Sequence, residues 1–284
     1  MHRFGPDGLP ERDTHGETLV MGVLNVTPDS FSDGGEHATT SEAIAHGRLL
    51  VKQGAAIVDV GGESTRPGAA RVSEEEELRR VVPVVSALAA EDVVISVDTM
   101  RASVAAAAVE AGALIVNDVS GGAADTDMGE SAARLRTRLG TPPVFVAMHW
   151  RGHSEVMDRM SDYTDVARDS ARELGDRLVA LRAAGVDERF LVVDPGLGFA
   201  KTGEQNWDVL ANWDELAALN LPILIGASRK RFLSTLGIDR DSATAAVSAY
   251  SAERGAWAVR VHEVPQNLAA VRVGSRIRAA RRPL

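Results

Sequence analysis

Cysteine is absent from the 284 residues, which excludes disulfides and thiol catalysis and is in keeping with a reducing cytosol. Aromatic residues are scarce, at 4%, so a core must be built from Val, Leu, Ile and Ala. No apolar run approaches the roughly 20 residues that a membrane helix needs. The first seventeen residues mix His, Arg, Asp, Glu, Gly and Pro without an apolar stretch, so no secretory signal is expected. Positive charge is not in excess. The formal net charge is −9, and that field favours neither nucleic acid nor an anionic membrane. An anionic ligand would have to be held by local cations. The Gly-rich G-x-G-x-x-G turn of a doubly wound dinucleotide-binding sheet does not follow the first apolar run. Linkers, repeats and low-complexity segments are also missing.

What the chain does contain is an alternation. Short apolar runs at 18–24, 55–60, 93–97, 113–117, 143–148, 190–194, 222–226 and 256–261 are separated by longer amphipathic patterns such as EAIAHGRLLVKQ and AARLRTRL. Near-continuous apolar runs suit parallel strands buried on both faces, and the patterns between them read as helices. Thr39 with Glu42 and Ser73 with Glu76 have capping-box spacing, so helices are predicted to start there. Pro83 predicts a kink or early stop in the second helix. Eight β-then-α units over about 265 residues match a (β/α)₈ TIM barrel, usually about 250 residues. A doubly wound open sheet is the alternative. The expected organisation is an N-terminal extension over 1–17 and one barrel domain over 18–284, ending in an Arg-rich, solvated helix.

In such barrels the site lies where the strands end. The eight runs end at or near Asn25, Asp59, Asp98, Asn117 with Asp118, His149, Asp194, Ser228 with Lys230, and Arg260 with His262. A single Asp at a strand end is most simply a helix cap. Polar groups at all eight ends, facing loop-like residues at the other ends, point instead to one site on one rim. Asp98, Asn117 and Asp194 supply acceptors and an amide for the aminopyrimidinone edge of a flat heterocycle. Lys230, Arg260 and His262 supply donors for phosphate or diphosphate, in the corner where this fold commonly binds phosphate.

These residues sit in the segments GVLNVTPDSFSDGG, DVGGESTRPGA, SVDT, NDVSGG, MHWRG, DPGLGFAKT, GASRKRF and RVHEV. Together, in this order over about residues 18–264, they resemble the dihydropteroate synthases. The resemblance implies a (β/α)₈ barrel that joins 6-hydroxymethyl-7,8-dihydropterin diphosphate to p-aminobenzoate, giving 7,8-dihydropteroate and diphosphate in folate synthesis. It also implies a cytoplasmic homodimer of the sulfonamide-target class. By that resemblance Thr65, Asp98, Asn117, Met148, Asp194, Lys230 and Arg260 bind the pterin. Asn25, Arg260 and His262 hold the diphosphate, and Asn25 ligates Mg²⁺. Thr65, Pro67, Phe199, Lys230 and Arg231 line the p-aminobenzoate slot. Loops 25–39 and 61–73 close over the pterin, bringing Asp33 to Arg66, which join Lys230 as catalytic groups. Diphosphate leaves first in an SN1-like path. That suits the chemistry: the methylene is attached to an electron-rich ring and the aniline nitrogen is a weak nucleophile.

Other readings attach to neighbouring residues. Asp59 and Glu63 read as structural partners of Arg66 or of backbone donors, Asp118 as a helix cap, and His149 and His153 as structural groups. Trp150 and Arg231 depart from residues common in the family, Met and Ser. A corrinoid-dependent methyltransferase would share the fold and pterin pocket, but is not expected to carry STRPG, SRKRF and RVH together. A non-catalytic paralogue is expected to have lost loop residues that this chain retains.

Overall fold

A computed structural model describes residues 5–10, 16–27, 35–63, 71–153 and 156–281. Eight strands form one sheet: β1 (Leu19–Asn25), β2 (Ile57–Gly61), β3 (Ile95–Asp98), β4 (Ile115–Asp118), β5 (Val144–Met148), β6 (Leu191–Asp194), β7 (Leu224–Ile225) and β8 (Ala258–Val261). All neighbours are parallel, in the order β6-β5-β4-β3-β2-β1-β8-β7. A parallel bridge between Val193 and Ile223 joins the two ends, so the sheet closes on itself. The helices are α1 (Gly35–Lys52), α2 (Glu74–Ala89), α3 (Ala102–Glu110), α4 (Met128–Arg134), α5 (Val166–Ala183), α6 (Gly203–Ala211), α7 (Trp213–Ala217), α8 (Arg231–Ser234), α9 (Arg240–Arg254) and α10 (Val264–Ala280). The expected (β/α)₈ barrel is therefore the architecture, with an extra helix after β6 and another after β7.

Two cores explain the apolar runs. Outward residues such as Val58, Val97, Phe145 and Val193 pack with the inner faces of the helices. Inward residues Met21, Ile57, Ile115, Val144, Val146, Val192, Leu224 and Ala258 fill the barrel itself. Both faces of each strand are thus apolar, which removes the alternation seen in half-exposed strands. Several strands begin about two residues later than their apolar runs. Val94, Leu114 and Trp257 lie just before their strands yet pack into the barrel interior, with Leu9 from the N-terminal segment against them. These residues are apolar because they floor the barrel. The segment 5–10 is tied there by Asp7 N–H donating to the Arg189 carbonyl at 2.9 Å.

Helix boundaries differ from expectation in three places. Ser73 does cap α2, accepting from the Glu76 N–H at 3.2 Å. Glu76, however, turns its carboxylate to Arg79 and Arg80. Pro83 does not stop α2, which continues to Ala89. Buried Val81, Val84, Val85 and Leu88 hold the turns on either side of it against the barrel, and such packing outweighs a missing helical bond. Helix α1 starts at Gly35, so Thr39 lies inside it and is no cap. AARLRTRL ends as a helix at Arg134, because the chain then enters a turn fastened by Thr137 N–H to the Thr141 carbonyl at 2.8 Å. The Arg-rich end is helical as expected, with Arg272 and Arg276 exposed on α10.

Helices α9 and α10 cross closely at Gly274. A Cβ there would lie 2.1 Å from the Ala249 carbonyl oxygen and 2.9 Å from the Ala252 Cβ. The backbone oxygen cannot give way as a flexible side chain would. Gly274→Ala should therefore force the helices apart and cost about 1–3 kcal/mol, as overpacking does. A lowered urea midpoint checks this; an unchanged midpoint would mean the crossing is loose.

Candidate active site

The barrel pleat places every second residue of a strand inside. On β2 these are Ile57, Asp59 and Gly61; on β4, Ile115 and Asn117; on β5, Val144, Val146 and Met148; on β6, Val192 and Asp194; on β8, Ala258 and Arg260. Each interior position is apolar at the bottom of the barrel and mostly polar toward the C-terminal ends. Register then builds a row across neighbouring strands: Asn25 pairs with Gly61, Gly61 with Asp98, and Asp98 with Asn117. Met148 pairs with Asp194 on the other side. Residues far apart in sequence are so brought to one mouth without any loop having to carry them.

The strongest electrostatic feature spans that mouth. Arg260 donates through Nε to Asp59 Oδ2 at 2.6 Å and through Nη2 to Asp98 Oδ2 at 2.7 Å. Asn117 Nδ2 donates to the same Asp59 oxygen at 3.2 Å. Two buried carboxylates share one guanidinium, so they also repel one another. Burial pushes the Asp98 carboxyl up to about 7; Arg260 acts against this and the charge on Asp59 adds to it. Burial works to lower the Arg260 pKa, but the two carboxylates outweigh it and leave it raised. Asp59 Oδ1 and Ser96 Oγ, also buried, have no hydrogen-bond partner among the described residues. Unpaired buried acceptors are costly, and both belong to inward positions below the mouth.

A second charged group stands beside β6 and β7. Asp194 Oδ1 accepts from the Gly196 N–H at 2.7 Å. Burial raises the Asp194 pKa, opposed first by Lys230. Burial likewise lowers the Lys230 ammonium to about 8, with Asp194 opposing. Lys230 donates to the Leu197 carbonyl and lies 4.7 Å from the Phe199 ring centroid. A Cβ on Gly226 would stand 3.5 Å from Asp194 Oδ2 and 3.8 Å from Lys230 Nζ. Glycine at that position leaves no side chain beside the two charges. His262 Nδ1 lies 3.0 Å from Ser228 Oγ, which also accepts from the His262 N–H at 3.2 Å. The Ser228 hydroxyl holds the ring in place, donating to Nδ1 or accepting from it according to the tautomer.

The structure thus gathers Asp98, Asn117, Met148, Asp194, Lys230 and Arg260 on the barrel mouth, with half-buried Asn25, Phe199 and His262 at its edge. Arg231 opens α8 and its side chain is exposed. Asp33, Thr65, Arg66 and Pro67 lie outside the described residues. Asp118 is a turn group: its carboxylate accepts from Ser120 N–H at 2.7 Å and Gly122 N–H at 2.8 Å. Glu63 accepts from Arg101, Arg71 and the Val72 N–H. The residue that sequence reasoning undervalued is Asp59. Its signal was available in the two-residue period, Ile57-x-Asp59-x-Gly61, which aims it inward. Ser228 carried no such signal, since it is recognised only through its bond to His262.

The family model described as pterin binding enzyme matches residues 21–262. A dihydropteroate synthase of Mycobacterium leprae (strain TN) is 51% identical over 265 residues, 89% of this chain and 91% of that protein. The solved Xanthomonas albilineans dihydropteroate synthase with 4-aminobenzoic acid has a TM-score of 0.84 at 41% identity, covering 93% of this chain and 94% of that one. The Yersinia pestis enzyme in a sulfonamide drug complex has a TM-score of 0.86 at 38% identity, covering 99% of this chain and 100% of the other. With its barrel, its inward polar row and these likenesses, the chain belongs to the pterin-binding enzyme family.

Proposed function

We propose that the chain is a dihydropteroate synthase, a transferase of folate synthesis. It condenses 6-hydroxymethyl-7,8-dihydropterin diphosphate with p-aminobenzoate to give 7,8-dihydropteroate and diphosphate. The observation that carries this reading is the division of the mouth. Carboxylates and an amide (Asp98, Asn117, Asp194) stand with donors (Lys230, Arg260, His262) at one barrel mouth, with Arg260 bridging Asp59 and Asp98 and Lys230 set against Asp194.

In this reading Asp98, Asn117 and Asp194 accept and donate along the pterin edge, and Met148 packs against the ring. Lys230 reaches the pterin carbonyl. Arg260 and His262 hold the diphosphate, with Asn25 beside them. Thr65, Pro67, Phe199, Lys230 and Arg231 line the p-aminobenzoate slot that sulfonamides would share. Asp33 and Arg66 meet over the bound pterin, and the water they exclude would otherwise trap the cation. The C–O bond to diphosphate ionises first, because the aniline nitrogen is a weak nucleophile. Arg260 and His262 take the charge on the leaving oxygens, and buried Asp98 and Asp194 favour the positive pterin.

Mg²⁺ fits this arrangement only as a shared ion. Among the described residues no group of three or more His, Cys, Asp or Glu side chains is placed to hold a metal. Asn25 offers one neutral oxygen, and Mg²⁺ commonly takes one or two protein oxygens and the rest from phosphate and water. When bound, it would neutralise charge on the diphosphate. A homodimer belongs to the same reading. Val273 and Ile277 are exposed at 58% and 52%, one turn apart on a face of α10. A cytoplasmic location is part of the same reading. Among the described residues no helix is long and apolar enough to cross a membrane.

The decisive assay is release of diphosphate from the pterin diphosphate, dependent on p-aminobenzoate and Mg²⁺. Release should fall about 100-fold in kcat/KM with Asp194→Ala, which strips the ring edge of a buried acceptor. Release indifferent to p-aminobenzoate would contradict the proposal. Arg260→Met leaves Asp59 and Asp98 without their counter-charge. A raised carboxyl stabilises the fold in full below its unfolded value, 3.8, and that contribution is lost as pH rises through the folded value, about 7 in the parent. The variant's folded value is higher still, so its loss should be about 3 kcal/mol at pH 8 and smaller at pH 5. Urea midpoints at the two pH values check this; equal losses would argue against shared charge. Sedimentation should give twice the 30.1 kDa chain mass, and Val273→Asp with Ile277→Asp should give a folded monomer.

A further inference from the structure

The end of β6 and the turn after it carry two groups that the proposed reaction uses, Asp194 and Phe199, and the Leu197 carbonyl receives Lys230. Its backbone is held in an unusual shape. Gly196, Gly198 and Ala200 have φ of +66°, +75° and +48°. Gly196 admits no side chain, since a Cβ would lie 2.3 Å from the His149 carbonyl oxygen. Ala200 is an L-residue in the left-handed region, a conformation that persists only where the surroundings impose it.

Behind the turn lies a cluster that no step of the reaction employs. Lys201 is buried, and its Nζ is 2.8 Å from His149 Nδ1, 3.3 Å from the Gly196 carbonyl and 3.4 Å from the Phe199 carbonyl. Three acceptors match the three hydrogens of an ammonium, one more than a neutral amine could serve. His149 Nε2 lies 2.9 Å from Glu173 Oε2, so the imidazole proton faces the carboxylate and Nδ1 is the acceptor. Arg151 grips both Glu173 oxygens, at 2.9 and 2.7 Å, and its guanidinium lies 3.7 Å from the Tyr163 ring centroid. The Tyr163 hydroxyl donates to the Ala200 carbonyl at 2.9 Å. A closed circuit of polar contacts therefore runs from the end of β5 through α5 and back to the turn.

We infer that Lys201 is a positioning residue for the second substrate: oriented by His149 Nδ1, it draws the Gly196 and Phe199 carbonyls inward and so fixes the Phe199 ring at the p-aminobenzoate slot. Asp194 is fixed by β6 itself, in register with Met148 on β5, so the pterin seat depends less on Lys201 than the slot does. Burial lowers His149 to about 4, with the neighbouring Lys201 charge assisting, which keeps the imidazole neutral and its Nδ1 lone pair in place. Burial also lowers Lys201 to about 7, and the Asp194 charge opposes this.

The inference rests on the proposed reading that Phe199 borders p-aminobenzoate, and Phe199→Ala tests that reading separately. Lys201→Met should raise the KM for p-aminobenzoate about tenfold, a displaced binding wall, while kcat and pterin diphosphate affinity stay within about threefold. His149→Gln places its polar end near Nε2, toward Glu173, and should raise that KM as Lys201→Met does. His149→Asn places an oxygen near the Nδ1 position and should recover most of the loss; this pair decides the matter if Lys201→Met does not fold. An unchanged KM in Lys201→Met and His149→Gln overturns the inference, as does equal damage from His149→Asn and His149→Gln. Parallel loss of kcat, pterin affinity and urea midpoint also overturns it, since that is general structural damage. If Phe199→Ala alone leaves the KM unchanged, the slot reading itself fails and takes the inference with it.

Discussion

A single guanidinium held between two buried carboxylates organises this barrel. Arg260 on β8 reaches Asp59 on β2 and Asp98 on β3, crossing the mouth past β1. Taking three charges out of water is expensive, and their mutual attraction repays the cost only with good geometry and further hydrogen bonds. The geometry comes from the closed parallel sheet, whose pleat aims all three inward at neighbouring levels. A further bond comes from Asn117. Below them lie the apolar residues that fill the barrel; above them the mouth opens. The arrangement favours function over stability: acceptors and donors are oriented before any substrate binds, and little reorganisation remains to be done at reaction.

The remaining parts of the site depend on that frame in layers. Asp194 and Lys230 form a second charged pair whose burial and mutual attraction offset one another, leaving the ammonium at about 8 and the carboxyl raised. Ser228 holds His262 through its ring Nδ1 and its backbone N–H. Behind them, Lys201 and His149 hold the β6–α6 turn in a shape its own backbone preferences would not choose. In the proposed reading, the strands supply the pterin floor and the braced turn supplies one wall of the adjoining slot. The proposed mechanism also assigns roles to Asp33, Thr65, Arg66 and Pro67, which lie outside the described residues.

Much of this was legible in the amino-acid sequence, for physical reasons that can be named. Eight doubly buried strands leave apolar runs, and the barrel's catalytic face leaves a polar residue at the end of each. Asp98, Asn117, Asp194 and Arg260 were recognisable on that basis, and the motif order then named the family. What escaped was information about pairing. Lys201 and His149 are 52 residues apart, and nothing local links them. Asp59 was read as a structural partner of Arg66 or of backbone donors, whereas the two-residue pleat puts it under Arg260. Pro83 was read as a kink or an early stop, and the stop did not occur, because local propensity is visible in sequence and the packing of Val84, Val85 and Leu88 is not. Thr39 was taken for a cap by spacing alone, although α1 begins at Gly35.

The central claim is that the inward charges of the barrel form one preorganised pterin and diphosphate site. A crystal structure with the bound pterin diphosphate tests it most directly. The account predicts the ring edge against Asp98, Asn117 and Asp194, with the diphosphate at Arg260 and His262. A ring bound away from these carboxylates, with Arg260 still closed between Asp59 and Asp98 and distant from any phosphate, would contradict it.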